Sequence, residues 1–331
     1  MMDRRGDAVT RRHGAGTFSL SLRLLVSLSL LVSLWAAPAW ATSSKAGTRS
    51  FQFLKLGLGS RAVAMGAFTA RADDASAMYW NPAGLQDVRR PELITSYLKY
   101  IQDINYSGIG YAHPLPRRFG VLGTYMTALT MGDIDKTIAV KGAPFYQKVG
   151  TFTSYDYLFA ISYANRFGAF GMPLRYGLTA KFFKEKIDEA SATSFALDFG
   201  LKWKFTDFPM DVAFTAANLG KSSPFDVVRE KLPERYTIGL NFRPFLGRLN
   251  LGADLVFPAD NNPYFNFGTE FWPVHFLALR AGYTGRSENT SDEKGYALGM
   301  GLRIMKLVVD YAFKPYDTFG SAHQFTLSVK F

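Results

Sequence analysis

Residues 322–331 read AHQFTLSVKF, and the side chains of this stretch alternate between apolar and polar. The apolar positions are Phe325, Leu327, Val329 and Phe331, and the positions between them are Gln324, Thr326, Ser328 and Lys330. Successive side chains of a strand point to opposite faces, so the stretch predicts a strand with one apolar and one polar face. A strand of this kind at the end of a chain is typical of bacterial outer-membrane β-barrels, which need an apolar lipid face and tolerate a polar lumen.

The same alternation runs through residues 92–331, in segments that are separated by Gly, Pro, Asn and Asp. In the clearest segment, residues 193–205, every second side chain is large and apolar: Phe195, Leu197, Phe199, Leu201, Trp203 and Phe205. Counting the segments gives about 14 strands, an even number as in single-chain bacterial barrels. The connections are alternately short and long, and residues 131–150 form one of the long loops. The sequence therefore predicts an all-β fold, a transmembrane antiparallel β-barrel over residues 92–331.

A soluble β-sandwich or β-propeller would also alternate apolar and polar residues, because one face of each strand packs into a core. In such a core Ile, Val and Leu usually share the packing. Here the chain has 29 Phe and 17 Tyr, and aromatic residues crowd the apolar positions, often near the ends of the segments. Aromatic girdles at the membrane interfaces require this placement, so the sequence favours the barrel.

The beginning of the chain is typical of an exported protein. Five arginines precede or enter an apolar run that reaches residue 37 and is interrupted only by serines, and Ala39-Trp40-Ala41 then gives a small-x-small pattern. This order of features predicts a signal peptide over residues 1–41, cleaved after Ala41. An anchor helix is the alternative, but a membrane span needs about 20 apolar residues and this run is shorter. We therefore expect export to the bacterial outer membrane.

The composition argues against several kinds of site. The chain has no cysteine, which excludes disulfides, thiol catalysis and cysteine metal ligands. The formal net charge is +11, but Lys and Arg are scattered without a dense run, so nucleic-acid binding is not predicted.

The histidines beyond the leader are His113, His275 and His323, and their spacing is not that of metal ligands. A hydrolase would need a Ser-His pair held by a third group, and the pair considered is His323 with Ser321 or Ser328. A histidine at such short spacing is more often an ordinary loop residue. The sequence therefore predicts no catalytic residue, no metal site, no cofactor and no enzyme activity.

Residues 42–91 do not alternate, and they contain three groups of candidate residues. These are the glycines Gly57, Gly59 and Gly66, the acids Asp73 and Asp74, and the run Asn81, Pro82, Ala83 and Gly84. An Asn-Pro pair predicts a tight turn, which either only positions the first strand or also gates the lumen. The glycines either form a nest of N–H groups for an anion or permit close packing against the barrel wall, and packing is the more common role.

This segment resembles the N-terminal region of the PorV/PorQ family and, more distantly, of the FadL-type channels for hydrophobic compounds. The matching stretches are Phe53-Leu54-Lys55-Leu56-Gly57, Gly59-Ser60-Arg61-Ala62, Met65-Gly66-Ala67, Ala72-Asp73-Asp74-Ala75 and Tyr79-Trp80-Asn81-Pro82-Ala83-Gly84-Leu85. The resemblance implies a FadL-like barrel with residues 42–91 as a hatch inside it. FadL-type channels carry long-chain fatty acids or aromatic hydrocarbons, whereas PorV-like members are associated with type IX secretion and hold exported substrates.

Charged residues at polar positions of the predicted strands are expected in the lumen. They are Lys181, Asp198, Lys202, Arg235, Asp254, Glu270, Arg280 and Arg303. These residues either pair into a packed network around the hatch or line a polar conduit. Unpaired buried charges are costly, and a lumen of this width must be filled or wet, so we favour the network.

The leading functional hypothesis is a non-enzymatic role in the cell envelope, in secretion or in binding of a partner protein. The alternative is a FadL-like channel for uptake of hydrophobic small molecules, and a third hypothesis is a structural, porin-like barrel. The partners that these hypotheses imply are outer-membrane lipid, secretion-system components or exported proteins, and a hydrophobic small molecule.

We expect the mature protein to begin near Thr42 and to fractionate with the outer membrane, because the leader and the terminal strand both indicate export. N-terminal sequencing of protein from the membrane fraction measures the cleavage site. An intact leader, or recovery in the soluble fraction without detergent, would contradict this prediction.

Overall fold

The structure is a computed structural model of the 331-residue chain. It describes residues 48–101, 103–116, 119–139, 146–169, 172–205, 208–222, 231–285, 295–316 and 319–331. The predicted signal peptide lies outside the described residues, as do residues 42–47 of the predicted hatch, so both predictions stay predictions there. No helix in the described part of the chain is long and apolar enough to cross a membrane.

The first described elements are short helices within residues 48–91, which we call the N-terminal segment. A 3-10 helix spans Gln52–Lys55, helix α1 spans Ser60–Met65, helix α2 spans Ala77–Trp80 and a second 3-10 helix spans Pro82–Asp87. Helices this short are not stable alone in water, so packing against the rest of the protein must maintain them.

The strands that follow extend to the C-terminal end of the chain. They are β1 Glu92–Lys99, β2 Asn105–Pro114, β3 Val121–Thr130, β4 Ile134–Ala139, β5 Tyr146–Phe152, β6 Ser154–Ala169, β7 Met172–Ile187, β8 Ala190–Lys204, β9 Met210–Ser222, β10 Arg235–Phe242, β11 Leu249–Pro258, β12 Tyr264–Val274, β13 Leu277–Thr284, β14 Tyr296–Ile304, β15 Leu307–Pro315 and β16 Ser321–Lys330.

Over the described residues, fourteen of these strands close into an antiparallel barrel. Each strand pairs with its neighbours in the chain, except that β3 pairs directly with β6. The last strand, β16, returns to the first, with Val329 opposite Leu93 and Gln324 opposite Leu98. The predicted fold class, a transmembrane-type barrel of 14 antiparallel strands, is confirmed.

The strands β4 and β5 form a separate hairpin between β3 and β6. The sequence analysis treats residues 131–150 as a plain loop, and here the structure differs. Ion pairs support the hairpin: Lys148 lies 2.5 Å from Asp135 within it, and Lys136 lies 2.6 Å from Asp188 of the neighbouring turn. The side chains of both strands are exposed almost throughout, so no buried face produced an alternating pattern that could predict them.

The two ends of the barrel have different connections. At one end, which we call the short-turn end, Met305 and Lys306 alone join β14 to β15, and the N–H of Phe331 donates to the carbonyl of Pro91 at 2.9 Å. The β4–β5 hairpin emerges from the other end, which we call the long-loop end. Outer-membrane barrels have short periplasmic turns and longer outside loops, so we assign the long-loop end to the outside.

The two faces of the barrel wall differ in the same way along each strand. On β16 the outward Phe325 and Leu327 are exposed, whereas Gln324 and Thr326 are buried. In a water-soluble protein the arrangement is the opposite, because apolar residues are mostly buried and polar residues are mostly exposed. The outward face is therefore suited to lipid and the inward face to a filled polar lumen.

The N-terminal segment packs against the inward face of strands that lie far apart around the barrel. On β16, Gln324 donates from Nε2 to the carbonyl of Gly57 at 3.0 Å. On β7, the hydroxyl of Thr179 donates to the carbonyl of Met78 at 3.2 Å. Because these two strands are not neighbours, a segment that reaches both must lie across the lumen.

Leu298 and Ile138 provide a matched test of which surface faces lipid, because their side chains are 49% and 50% exposed, on β14 and on the β4–β5 hairpin. We expect Leu298→Arg to destabilise the protein by about 2–4 kcal/mol, the cost of an arginine on the lipid face near the midplane. Ile138→Arg should have little effect. Refolding titrations in lipid vesicles measure both, and an equally harmless Leu298→Arg would contradict the orientation.

Candidate functional site

The predicted hatch glycines lie at the turns around helix α1. Gly59 precedes the helix and Gly66 follows it, with φ of +93° and +70°, a region that favours glycine. Gly57 lies against Trp80, where an added Cβ would stand 2.2 Å from Cζ2 of the indole. These three positions match the packing role rather than the anion nest.

The predicted turn at Asn81 begins the second 3-10 helix. The Asn81 Oδ1 accepts a hydrogen bond from the N–H of Ala83 at 3.1 Å, and Pro82 occupies the start of the helix, where proline is favoured. The Asn81 Nδ2 donates to the carbonyl of Thr69 at 3.0 Å. Gly84 is packed so tightly that an added Cβ would lie 2.3 Å from a backbone carbonyl oxygen. The turn is therefore fixed to the rest of the N-terminal segment.

Inward-facing glycines on the barrel strands receive the backbone of the N-terminal segment. An added Cβ would lie 2.0 Å from the Met65 carbonyl oxygen at Gly268, and 2.3 Å from the Pro82 carbonyl carbon at Gly177. Similar contacts under 3.0 Å with the backbone of the segment occur at Gly239, Gly252 and Gly282, and at Gly200 an added Cβ would lie 2.2 Å from Oδ1 of the Asn81 side chain. The sequence analysis missed this role, although the signal was present: a glycine inside a strand often marks close approach of another backbone.

Arg61 of helix α1 lies at the centre of a buried charge network. Its guanidinium bonds to Glu270 of β12 at 2.7 and 3.0 Å, to Asp73 at 2.7 Å and to Asp74 at 2.9 Å. Arg280 of β13 bonds to the same Glu270 at 3.0 Å. The network therefore brings the two predicted hatch acids together with two of the predicted lumen charges and ties α1 to the barrel wall.

Arg61 and Asp73, two of the groups that the N-terminal segment contributes to this network, have pKa values that favour their charged forms. Burial disfavours the charged form of Arg61, yet Glu270, Asp73 and Asp74 hold the pKa of Arg61 well above its usual value. Burial would likewise raise the pKa of Asp73, but Arg71 and Arg61 hold that pKa well below its usual value. A carboxyl with a depressed pKa stabilises the folded state above its unfolded pKa, and this contribution is lost as the pH falls through the folded pKa.

Two further predicted lumen charges contact the N-terminal segment directly. Lys202 of β8 donates to the carbonyl of Ala72 at 2.8 Å and lies 2.9 Å from Asp87. Asp254 of β11 accepts a hydrogen bond from the N–H of Phe68 at 3.0 Å. Both side chains are buried, and each is matched by a group of opposite charge or by hydrogen-bond donors, as the low dielectric of the interior requires.

Lys181 and Asp198 form a buried ion pair at 2.6 Å beside a bulge in β9. Asn218 occupies the bulge with a φ of +61°; its N–H donates to Asp198 at 2.7 Å, and its side-chain oxygen accepts from Lys181 at 2.8 Å. Arg235 is half-buried and lines a small cavity of about 120 Å³ together with Asn218. This part of the wall is fixed by polar contacts.

Arg303 differs from the other predicted lumen charges. Its side chain is exposed close to the end of β14, and its guanidinium lies over the ring of Trp272 at 4.4 Å from the centroid. The alternating pattern predicts that Arg303 faces the lumen. The residue lies so close to the end of β14 that no other part of the described chain buries its side chain. Arg303 therefore does not belong to the buried network.

The Ser-His pair considered from the sequence is formed on the outward face of β16. The Ser321 hydroxyl lies 3.0 Å from Nε2 of His323, and Nδ1 of the same ring lies 2.8 Å from the Tyr311 hydroxyl. A catalytic triad would hold the histidine with a carboxylate, and here a tyrosine occupies that position. The arrangement matches an aromatic belt residue better than a hydrolase site.

A cavity of about 690 Å³ lies between the N-terminal segment and the barrel wall, towards the long-loop end. Its lining is mixed: charged and polar side chains such as Asp156 lie among aromatic and aliphatic ones, which include Phe51, Phe53, Trp80, Leu98, Leu129 and Tyr316. Small-molecule sites typically have volumes of about 300–1,000 Å³ with an apolar lining and a few polar groups. The sequence analysis missed this cavity, because its walls come from the segment and from strands that are distant in the chain.

Solved structures of a toluene transporter and of a hydrocarbon channel share this fold. The toluene transporter TbuX of Ralstonia pickettii matches with a TM-score of 0.56 and 13% identity, over 83% of this chain and 98% of that chain. The deltaS2 mutant of the TodX monoaromatic hydrocarbon channel matches with a TM-score of 0.50 and 12% identity, over 84% and 98%. A scan against protein-family models and a search of curated proteins each gave no match.

At these identities the likeness shows the barrel fold alone. The narrower prediction of a PorV/PorQ family member is not tested by these structures and stays a prediction.

We expect Gly268→Leu to displace the N-terminal segment, because even a Cβ at this position would overlap the Met65 carbonyl oxygen. Displacement should expose Arg61 and Arg71 to trypsin, so limited proteolysis of the protein in detergent measures it. The matched control is Gly150→Leu on the β4–β5 hairpin, where a Cβ would meet nothing within 4 Å. Equal protection of both variants would contradict the close approach, provided that circular dichroism shows the same strand content.

Proposed function

We propose that this protein is an outer-membrane channel for uptake of a hydrophobic small molecule, and that the N-terminal segment is its hatch. The observation that carries the proposal is the cavity of about 690 Å³, which the segment and the barrel wall form together and which aromatic and aliphatic side chains line in part. Apolar ligands gain free energy in proportion to the area that they remove from water. A cavity lined by Phe53, Trp80 and Leu129 offers such area.

The position of the cavity supports uptake from outside. It lies towards the long-loop end, and the segment beneath it is held to β12 by Arg61 and to β8 by Lys202. A ligand that enters from the outside therefore reaches a closed floor, and passage requires that the hatch move or that its contacts rearrange. The titles of similar structures name a toluene transporter and a monoaromatic hydrocarbon channel, which supports an aromatic hydrocarbon as the first probe.

A partner-binding or secretion-associated role is the second candidate, and the β4–β5 hairpin supports it. The hairpin stands at the long-loop end and exposes Ile138, Tyr146 and Val149. Exposed apolar groups on an outside hairpin offer a surface for a protein partner. Export with cleavage of residues 1–41 and residence in the outer membrane are common to both candidates.

We expect Leu129→Trp to weaken binding of toluene on the order of tenfold, because the larger side chain fills part of the cavity and overpacking costs about 1–3 kcal/mol. Equilibrium dialysis of radiolabelled toluene against the detergent-solubilised protein, with empty micelles subtracted, measures this. The matched control is Leu122→Trp on the same strand, whose side chain is exposed on the outward face.

Saturable toluene binding that Leu129→Trp weakens and Leu122→Trp does not would support the channel. If toluene binds no more than it does to empty micelles, the partner-binding role becomes the leading candidate.

The hatch is tested on Gly268→Leu. We expect low ion conductance of the intact protein in planar bilayers and a large conductance of this variant. An intact protein that already conducts like an open porin would contradict the hatch.

A further inference from the structure

The cavity contains a buried carboxylate that has an unused oxygen. Asp156 lies near the start of β6 and lines the cavity, and its side chain is 6% exposed. Its Oδ1 has no hydrogen-bond partner among the described residues. A buried carboxylate without donors is strongly unfavourable, and such groups in native proteins call for a reason. The cavity beside Asp156 is where a donor could reach that oxygen.

A second carboxylate stands directly beside the first. Glu185 of β7 is the cross-strand partner of Asp156 and lines the same cavity. Its Oε2 accepts a hydrogen bond from the N–H of Phe51 at 3.1 Å. Like charges directly opposite each other destabilise a sheet, so the pair of Asp156 and Glu185 costs the barrel some folding free energy.

The N-terminal segment fixes this arrangement from the other side. Phe51 has a φ of +56°, the left-handed region that phenylalanine rarely adopts, and this conformation accompanies the donation of its N–H to Glu185. Its ring packs edge-on against Phe183 with the centroids 4.8 Å apart. Aromatic surface and carboxylate oxygens are thus brought together at one corner of the cavity.

The basic residues that line the cavity have other contacts. Lys55 is paired with Asp260, Arg49 donates to the carbonyl of Ala259 at 3.4 Å, and the Nζ of Lys314 lies 5.8 Å from the centre of the Tyr316 ring. Three oxygens of the lining are buried without a hydrogen-bond partner among the described residues: Oγ of Ser50, Oδ1 of Asp156 and Oε1 of Gln324. Of these, only the oxygen of Asp156 belongs to a carboxylate. A ligand carboxylate would be repelled at this corner, and a bare hydrocarbon would leave the oxygen without a donor.

We propose that the cavity binds a cationic amphiphile, an aromatic or aliphatic body that carries a protonated amine, and that the amine donates to Asp156 with Glu185 beside it. The inference rests on the proposed function, since it names the class of hydrophobic molecule that the same cavity takes. An ammonium group supplies donors for the open oxygen and a positive charge for the two carboxylates, while the apolar body covers Phe51 and the other aromatic side chains.

Three probes with a similar aromatic body test the proposal: phenethylamine, which is protonated at neutral pH, phenylpropionate, which is anionic, and neutral toluene. Binding to the full-length protein in a non-ionic detergent is measured by equilibrium dialysis. We expect phenethylamine to bind on the order of tenfold more tightly than phenylpropionate, because only the amine can donate a charge-assisted hydrogen bond to Asp156.

Asp156→Asn keeps the shape of the side chain and removes its charge, so it should abolish the preference for phenethylamine over phenylpropionate. The control is Asp135→Asn, a carboxylate of the β4–β5 hairpin that pairs with Lys148 away from the cavity. If Asp156→Asn does not fold, Glu185→Gln provides the second variant and should reduce the preference as well.

The outcomes separate this inference from the function on which it rests. Toluene binding without a preference for phenethylamine would overturn the cationic ligand and leave the hydrophobic channel standing. A preference that survives in both Asp156→Asn and Glu185→Gln would overturn the assignment to these carboxylates. Failure of all three probes to bind would overturn the channel and the inference together.

Discussion

The closed ring of backbone hydrogen bonds is the constraint on which the rest of the structure depends. Lipid offers no partner for a free N–H or C=O group, so a sheet that spans a membrane cannot keep an open edge. The pairing of β1 with β16 removes the last edge. Closure with fourteen strands also sets a lumen that strand side chains alone do not fill, so water or another part of the chain must occupy it.

The N-terminal segment explains two features of the strands that would be unfavourable in an empty barrel. Glycine weakens a strand, and buried charges such as Glu270 are costly without partners. With the segment in place, Gly268 admits the backbone at Met65, and Glu270 meets Arg61 and Arg280. The sequences of the strands and of the N-terminal segment are therefore complementary. The free-energy cost of the strand glycines and of the buried charges is offset only when the segment is packed inside the barrel.

The sequence predicts the barrel because period-two alternation depends only on which face each residue of a strand presents to lipid. It does not predict the β4–β5 hairpin, which has no buried face, or the bulge at Asn218, where a local polar cluster overrides the register. It identifies Lys202 and Glu270 as inward charges. It assigns Arg303 the same role, because the alternation of side chains does not show at which residue a strand leaves the buried part of the lumen. Asp156 and Glu185 become neighbours only through strand pairing, so the corner that they form is visible only in the fold.

The cavity exists because the fit between segment and wall is close in one part of the lumen and loose in another. Elsewhere in the lumen, glycines such as Gly177 let the backbone of the segment touch the strands. Near the long-loop end a space remains between the segment and Leu98, Leu129 and Tyr316. One wall of that space is the segment itself, through Phe51 and Phe53. A ligand can shift the position of the segment only by binding one position better than another. In the proposed channel, these two side chains would link occupancy of the cavity to the position of the hatch.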